Sequence, residues 1–346
     1  MTVSYARKVQ LETPSKLFVN NPTLSEAGAA LGYDVIGATT NPTYLSRLAG
    51  LDSEKDGFLA AMQPLLARHD DDLAVFEELQ KLLVGRIATL YLPIYVQTGG
   101  RRGLVFMQGN PLMDADDDYM VQEALRFFEI APNIVVKVPS NHAGLKAFQR
   151  LTAMGKNLCA TSGLSLSQEE VFFRAYRDIH GNTPQAPLAY VTSLAGILEE
   201  FARKYAAEHA VHISEEALSV CGNLFSKLGY KMMEEEGYRG ILQGGGARNV
   251  SHFTEMVGSS FECTVNYVFL KQMNETAPAI ENRHRDLYAP GLLDELRAKL
   301  PFYSAAIDRD SLTPEQFDTF PPFAYFRGTF VAAAEKVFAL IRAQRG

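Results

Sequence analysis

The sequence predicts an α/β protein: a single (β/α)8 barrel of the TIM type with extra helices at the C-terminal end. Three observations predict it. Eight short apolar runs, bounded by turn formers, alternate along the chain with amphipathic helical stretches. Alternation of that kind gives a parallel sheet covered on both faces, and eight units close a barrel. No GxGxxG follows the first run, and the cluster Gly244-Gly245-Gly246 comes late, which argues against a doubly wound open sheet. No internal repeat or low-complexity linker divides residues 1–346, so one domain is expected. The barrel should occupy about 15–275, with a helical extension over about 276–346.

The elements follow in order. Lys16 to Pro22 is a short apolar run stopped by a turn cluster, the first strand. A helix over Leu24–Leu31 is capped by Ser25 or Thr23. Asp34 to Thr39 is the second strand, running into the turn Thr40-Asn41-Pro42 and a helix from Thr43. Amphipathic helices cover Ser53 to about Ala67 and Asp71 to about Tyr91, the latter with Leu73, Phe76, Leu79, Leu82 and Leu83 at helical spacing. Arg102 to Gly109 is the third strand. Asp116-Asp117-Asp118 opens a helix to Phe128, acidic residues being favourable at a helix N-terminus. Asn133 to Pro139 is the fourth strand, followed by a helix from Asn141 to Met154. Lys156 to Thr161 is the fifth strand and Ser167 to Ile179 its helix. Leu188 to Thr192 is the sixth, followed by helices from Ile197 to about His209 and Ser214 to about Glu235. Gly240 to Gly246 is the seventh, and Phe261 to Val265 the eighth, with a helix to about Met273. Arg283–Leu300, Pro314–Phe320 and Gly328–Gln344 are expected as further helices, which either cover the mouth of the barrel or pack against a neighbour.

Composition narrows the function. The chain has 346 residues, 47% hydrophobic and 21% charged, ordinary values for a globular protein with a sizeable core. The net charge is −7, and no basic stripe is visible, which argues against nucleic acid or an acidic membrane surface as a partner. Cys159, Cys221 and Cys263 are odd in number and widely spaced, so neither a disulfide framework nor a CxxC metal pattern is indicated. With no apolar leader in the first residues and no run of membrane-spanning length, a cytoplasmic protein is expected.

One residue points to chemistry. Lys137 sits inside the apolar run Ile134-Val135-Val136-Lys137-Val138. Burial disfavours the ammonium form and lowers the pKa. Such an amine is partly neutral near pH 7 and can attack a carbonyl to give a Schiff base. The ordinary alternative is a strand-end lysine whose stem packs while its head reaches water.

Several stretches then resemble one family, the transaldolases. Gly37-Ala38-Thr39-Thr40-Asn41-Pro42-Thr43 is similar to the family signature after the second strand. Val135-Val136-Lys137-Val138-Pro139 resembles the segment that carries the Schiff-base lysine. Gly155, Asn157, Thr161, Ser165 and Gln168 fall at the family's spacing, and Gly244 to Asn249 resembles the arginine turn after the seventh strand. The resemblance covers roughly residues 15–275. It implies a class I aldolase barrel that moves a dihydroxyacetone-type unit between sugar phosphates or related carbonyl compounds, with no metal and no cofactor. Under it Lys137 is the nucleophile, Thr161 positions water and protons, Asn41 binds a substrate hydroxyl and Arg248 holds a phosphate. Thr39, Cys159, Ser165 and Asn249 join the substrate-binding set.

The chain also departs from that pattern. Asn20 stands where the family carries an aspartate that acts on the sugar hydroxyl, and Gln108 where it carries a glutamate that activates water. Cys159 replaces an asparagine, and Ile197 replaces the arginine after the sixth strand. Asp-to-Asn and Glu-to-Gln exchanges keep shape but remove the titratable group, and positioned acid–base catalysis contributes about 10²–10⁴-fold. Losing two carboxylates should also lower the pKa of Lys137 further. Tyr44, Tyr190, Cys159 and His142 are chemically able to replace them, whereas Asp34 should lie at the wrong end of its strand. The expectation is a transaldolase-like enzyme with altered acid–base residues and substrate. An ordinary transaldolase and a non-catalytic binding barrel are the alternatives. Self-association is left open.

Overall fold

The computed structural model describes residues 3–181 and 183–345. Eight parallel strands close in sequence order: β1 (Lys16–Asn20), β2 (Gly37–Thr39), β3 (Leu104–Gln108), β4 (Ile134–Pro139), β5 (Leu158–Thr161), β6 (Ala189–Ser193), β7 (Ile241–Gly244) and β8 (Glu262–Asn266), with β8 pairing back onto β1. The predicted (β/α)8 barrel is therefore the fold, and each expected strand is present; most are shortened at their ends, while the sixth and eighth are shifted by one residue to Ala189–Ser193 and Glu262–Asn266.

The helices are α1 (Tyr5–Glu12), α2 (Leu24–Leu31), α3 (Thr43–Gly50), α4 (Asp52–Leu66), α5 (Asp72–Gln97), α6 (Asp117–Phe128), α7 (His142–Ala153), α8 (Leu166–His180), α9 (Ala195–Glu208), α10 (Glu215–Glu235), α11 (Ser251–Thr254), α12 (Tyr267–Thr276), α13 (Pro290–Lys299), α14 (Tyr303–Ile307) and α15 (Pro321–Arg345), with a 3-10 helix over Pro314–Thr319. Capping explains many of the starts. Thr23 and Glu26 form a reciprocal capping box before α2, and Asp71, Asp116, Asn141, Ser165 and Ser214 each accept from a backbone N–H of the first turn.

Strand periodicity builds the interior. Phe18, Phe106, Val135, Cys159 and Tyr190 pack together inside the barrel. Phe106 meets Phe18 and Tyr190 edge-on, with centroids 5.2 and 4.8 Å apart. Two residues further along each strand the side chain points inward again. Those positions are Asn20, Gln108, Lys137, Thr161 and Thr192, so an apolar floor supports a polar layer at the C-terminal ends of the strands. The intervening residues, among them Val105, Met107, Val136, Val138, Ala160 and Val191, are buried outward beneath the helices.

Three expectations need correction outside the barrel. The predicted helix Arg283–Leu300 starts only at Pro290. A proline at the first helical position is favourable, but it holds the preceding residue out of helical geometry. The predicted helix Gly328–Gln344 is the second half of α15, which starts at Pro321-Pro322 and runs through Gly328. Pro314–Phe320 is a 3-10 helix over Pro314–Thr319. Helix α1 was not anticipated; its eight residues bury only Tyr5, Ala6 and Val9, too few for a clear periodic signal. Among the described residues no helix is long and apolar enough to cross a membrane.

Candidate functional site

A cavity of about 490 Å³ opens at the C-terminal ends of the strands, where barrels of this class place their sites. Asn20, Lys137, Thr161, Thr192, Gln243 and Thr264 reach it from six different strands. Asn21, Asn41 and Arg248 reach it from the turns after β1, β2 and β7, and Thr43 and Ile197 from α3 and α9. Phe326, Thr329 and Phe330 of α15 complete the wall, so of the two roles open to the C-terminal helices, covering the mouth is the one seen.

Lys137 is 8% exposed. Its Nζ donates to the Thr40 carbonyl at 3.3 Å, and it makes no ion pair among the described residues. Burial lowers its pKa from the usual lysine value, and the Cys159 sulfur opposes this weakly. In the sheet register Gln108 and Cys159 are its two neighbours, on β3 and β5. Burial pushes the Cys159 thiol up to about 12, so the sulfur stays protonated. It lies fully buried beneath Thr161 in the apolar floor, without reaching the cavity surface.

Amides and hydroxyls form the network around the lysine. Asn20 Nδ2 donates to Asn266 Oδ1 at 3.0 Å, and its Oδ1 accepts from the Thr39 hydroxyl at 3.1 Å. Thr39 also meets Thr264, hydroxyl to hydroxyl, at 2.6 Å. Asn41 Oδ1 accepts from Asn21 Nδ2, from the Thr43 N–H and from the Thr43 hydroxyl. Asn41 therefore offers a ligand its Nδ2 rather than its oxygen. Asn21 is held at φ 44°, a left-handed conformation that asparagine tolerates better than most residues. Gln108 is 3% exposed, and its Oε1 has no hydrogen-bond partner among the described residues.

Other expected site residues lie elsewhere. Ser165 is the N-cap of α8: its hydroxyl accepts from the Gln168 N–H at 3.2 Å and donates to Gln168 Oε1. Gln168 in turn donates to the Ser140 carbonyl, bracing the loop after β5 against that after β4. Asn249 Oδ1 accepts from the Ser251 N–H and hydroxyl. Both side chains thus shape turns and do not line the cavity. Tyr44 is buried among the helices, Tyr190 in the barrel floor, and His142 lies beside Glu315. Asp34 accepts from the Ser4 hydroxyl ahead of β2, at the far end of the barrel as expected.

Four features are not among the residues singled out from the sequence. Gln243 sits on β7 facing the cavity, its Nε2 buried without a partner among the described residues; strand alternation alone could have placed it. Asn266 ends β8 and pairs with Asn20. Glu200 on α9 binds the Nε of Arg248 and, through Oε1, accepts from the Tyr325 hydroxyl at 2.7 Å, a contact no local pattern reveals. Glu123 of α6 is a buried carboxyl behind Gln108, accepting from the Asn110 N–H at 3.1 Å. Burial drives its pKa up to about 8, against the pull of that N–H. It borders a separate cavity of about 20 Å³, room for about one water, that also touches Gln108 and Lys137. Among the described residues no group of three or more His, Cys, Asp or Glu side chains is placed to hold a metal.

Such an arrangement can hold a polyhydroxylated compound by many neutral hydrogen bonds while a buried amine meets its carbonyl. Comparison with known proteins agrees with the barrel and narrows its kinship. Residues 28–309 match the family model described as Transaldolase/Fructose-6-phosphate aldolase. A transaldolase of Thiobacillus denitrificans is 29% identical over 147 residues, 41% of this chain and 39% of that protein. Transaldolase 1 of Streptomyces avermitilis is 27% identical over 147 residues, 41% of this chain and 37% of that protein. The match thus spans about two fifths of the length of these curated relatives. Among solved structures a 2,3-dimethylmalate lyase, a PEP mutase/isocitrate lyase superfamily member, aligns over 96% of this chain and 100% of its own, at 13% identity and a TM-score of 0.30, a level that carries no argument. With most of its length under that one family model, the chain belongs to the transaldolase/fructose-6-phosphate aldolase family.

Proposed function

We propose that the chain is a transaldolase-like enzyme that forms a Schiff base between Lys137 and a ketose-type carbonyl compound. The single observation that carries this reading is the environment of Lys137. It is a buried amine with a lowered pKa, held by one carbonyl and no carboxylate, at the base of a cavity lined with hydrogen-bonding groups. A lysine without a chemical role would be costly there.

The neutral amine attacks the carbonyl carbon, and the carbonyl oxygen takes up a proton. Loss of that oxygen as water leaves the imine. Cleavage of the bond between the α and β carbons sends its electron pair into the imine to give an enamine, while the proton of the β-hydroxyl passes to a base and the β carbon departs as an aldehyde. Addition of the enamine to a second aldehyde reverses these steps. Thr161 positions water at the imine carbon, and Asn20 and Asn41 hold substrate hydroxyls. Gln108 orients water without titrating. The step most affected by the exchanges at 20 and 108 is proton transfer, where a positioned acid or base contributes about 10²–10⁴-fold. A slow aldol cleavage on an intact imine is the expected phenotype. The catalytic side is therefore favoured over a binding barrel, and an altered reaction over the ordinary one.

Carbonyl oxygen exchange tests the reading without needing the natural partner. Each imine formed and hydrolysed in ¹⁸O-water labels the ketone. Wild-type protein should label dihydroxyacetone faster than Lys137→Ala does. Equal rates in two folded proteins would make the chain a binding barrel.

A further inference from the structure

Resting on that reading, we propose that the cavity selects an uncharged polyhydroxy carbonyl compound over the phosphate ester of the same compound. The argument comes from the cations around the cavity and from the turn after β7. Lys137, Arg47 and Arg248 are the only Lys or Arg side chains that line it among the described residues. Arg47 is held by both carboxylate oxygens of Glu26 at 3.0 Å. Arg248 is held by Glu200 through its Nε and by the Gly246 carbonyl through Nη1 at 3.1 Å. Glu200 is itself fixed by Tyr325 of α15, the helix that closes the mouth. Lys137 is reserved for the carbonyl. Each remaining guanidinium is therefore already paired with a carboxylate, although Arg47 keeps a buried Nη1 without a hydrogen-bond partner among the described residues.

Three backbone donors of the turn after β7 are engaged as well. In barrels of this class the loops after strands 7 and 8 supply the N–H groups of a phosphate site. Here the Gly245 N–H donates to the Ser193 carbonyl, the Arg248 N–H to His252 Nδ1 and the Ser251 N–H to Asn249 Oδ1. His252 cannot turn away, because its Nε2 lies 2.9 Å from Glu199 in a buried pair. Facing this turn is Ile197, fully buried and apolar; a Cβ on Gly246 would fall 2.5 Å from its Cγ1. A dianion at this end would face Glu200 and an isoleucine. A neutral chain of hydroxyls would find Asn20, Asn41, Thr192 and Gln243, and an apolar terminus would find Phe326 and Phe330.

Two measurements test this, and the first does not depend on the Schiff-base reading. Inorganic phosphate is titrated calorimetrically into wild-type protein, Glu200→Gln and the double variant Glu200→Gln/Arg248→Gln. No saturable binding is expected in the wild type. Glu200→Gln, which releases the guanidinium, should bind saturably, at least about tenfold tighter than the weakest affinity the titration can read, and the double variant should lose that gain. Separately, dihydroxyacetone and its phosphate are compared for borohydride-trapped adduct on Lys137, and the free ketone should half-saturate at the lower concentration. Micromolar phosphate binding by the wild type, or tighter trapping of the ester, overturns the proposal. If neither ketone is trapped, the Schiff-base reading fails, while the phosphate titration still decides whether the mouth rejects an anion.

Discussion

Gln108→Glu places a carboxylate beside the amine and changes two quantities in opposite senses. Gln108 and Lys137 are register partners on β3 and β4, both facing the barrel interior, so their backbones are about 4.8 Å apart. If the side-chain tips keep about that separation, an opposite charge stabilises the ammonium by about 3 kcal/mol at an effective dielectric of 20, or roughly 2 pH units on the lysine. Lys137 now titrates below the ordinary lysine value because burial is opposed by little else. The variant should therefore shift the pH midpoint of imine formation upward by about 2 units, measured as the initial rate of borohydride trapping across a pH series. At a pH above both midpoints, oxygen exchange should instead accelerate, since a carboxylate can now move protons for water entering and leaving the imine. A folded variant whose trapping midpoint does not move would refute the placement of Gln108 against the amine.

The other predictions concern the rest of the fold and the second exchange. Asn20→Asp combined with Gln108→Glu should raise cleavage of a ketose substrate well above wild type, by up to about 10²-fold if one acid–base group is recovered; no gain in a folded double variant would separate the slow reaction from the missing carboxylates. Glu123 holds its proton in the fold up to about pH 8, from an ordinary value of 4.5. The folded state binds the extra proton across that window, so its stability is greatest at acidic pH and falls as pH rises, by at most about 1.4 kcal/mol per unit. Glu123→Gln should flatten that fall in urea titrations between about pH 5 and about pH 8. Gly229→Ala would put a Cβ 2.2 Å from Glu169 Oε2, inside a packed interface of α8 and α10. It should cost about 1–3 kcal/mol, and Glu169→Ala in the same chain should recover most of it.

Much of the barrel was legible because its signals are local. The apolar runs, the Asp and Ser caps and the glycine turns each lie within a few residues of the element they define. Lys137 was legible for the same reason: a charge inside a β-branched run contradicts its neighbours. The pairing of Asn20 with Asn266, across the β1–β8 seam, depends on closure of the barrel and leaves no trace in either segment. The Glu200–Arg248–Tyr325 contact joins residues far apart in the chain and was equally hidden. Ser165 shows the reverse case. Its spacing from Thr161 matched the family, but the residue acts as a helix cap, because a serine three residues before Gln168 satisfies the first turn of α8. Spacing marks a position in a fold and does not by itself say which way the side chain is used. At the C-terminal end the prolines misled in both directions: Pro290 begins α13, and Pro321-Pro322 begins α15.

The most direct test of the account is borohydride reduction in the presence of dihydroxyacetone, read by intact mass and peptide mapping. The account predicts a single stable adduct on the peptide carrying Lys137, absent from Lys137→Ala and forming faster as pH rises towards the lowered pKa of the amine. A folded wild-type protein that gives no adduct with any ketone or ketose, or an adduct that persists in Lys137→Ala, would contradict it.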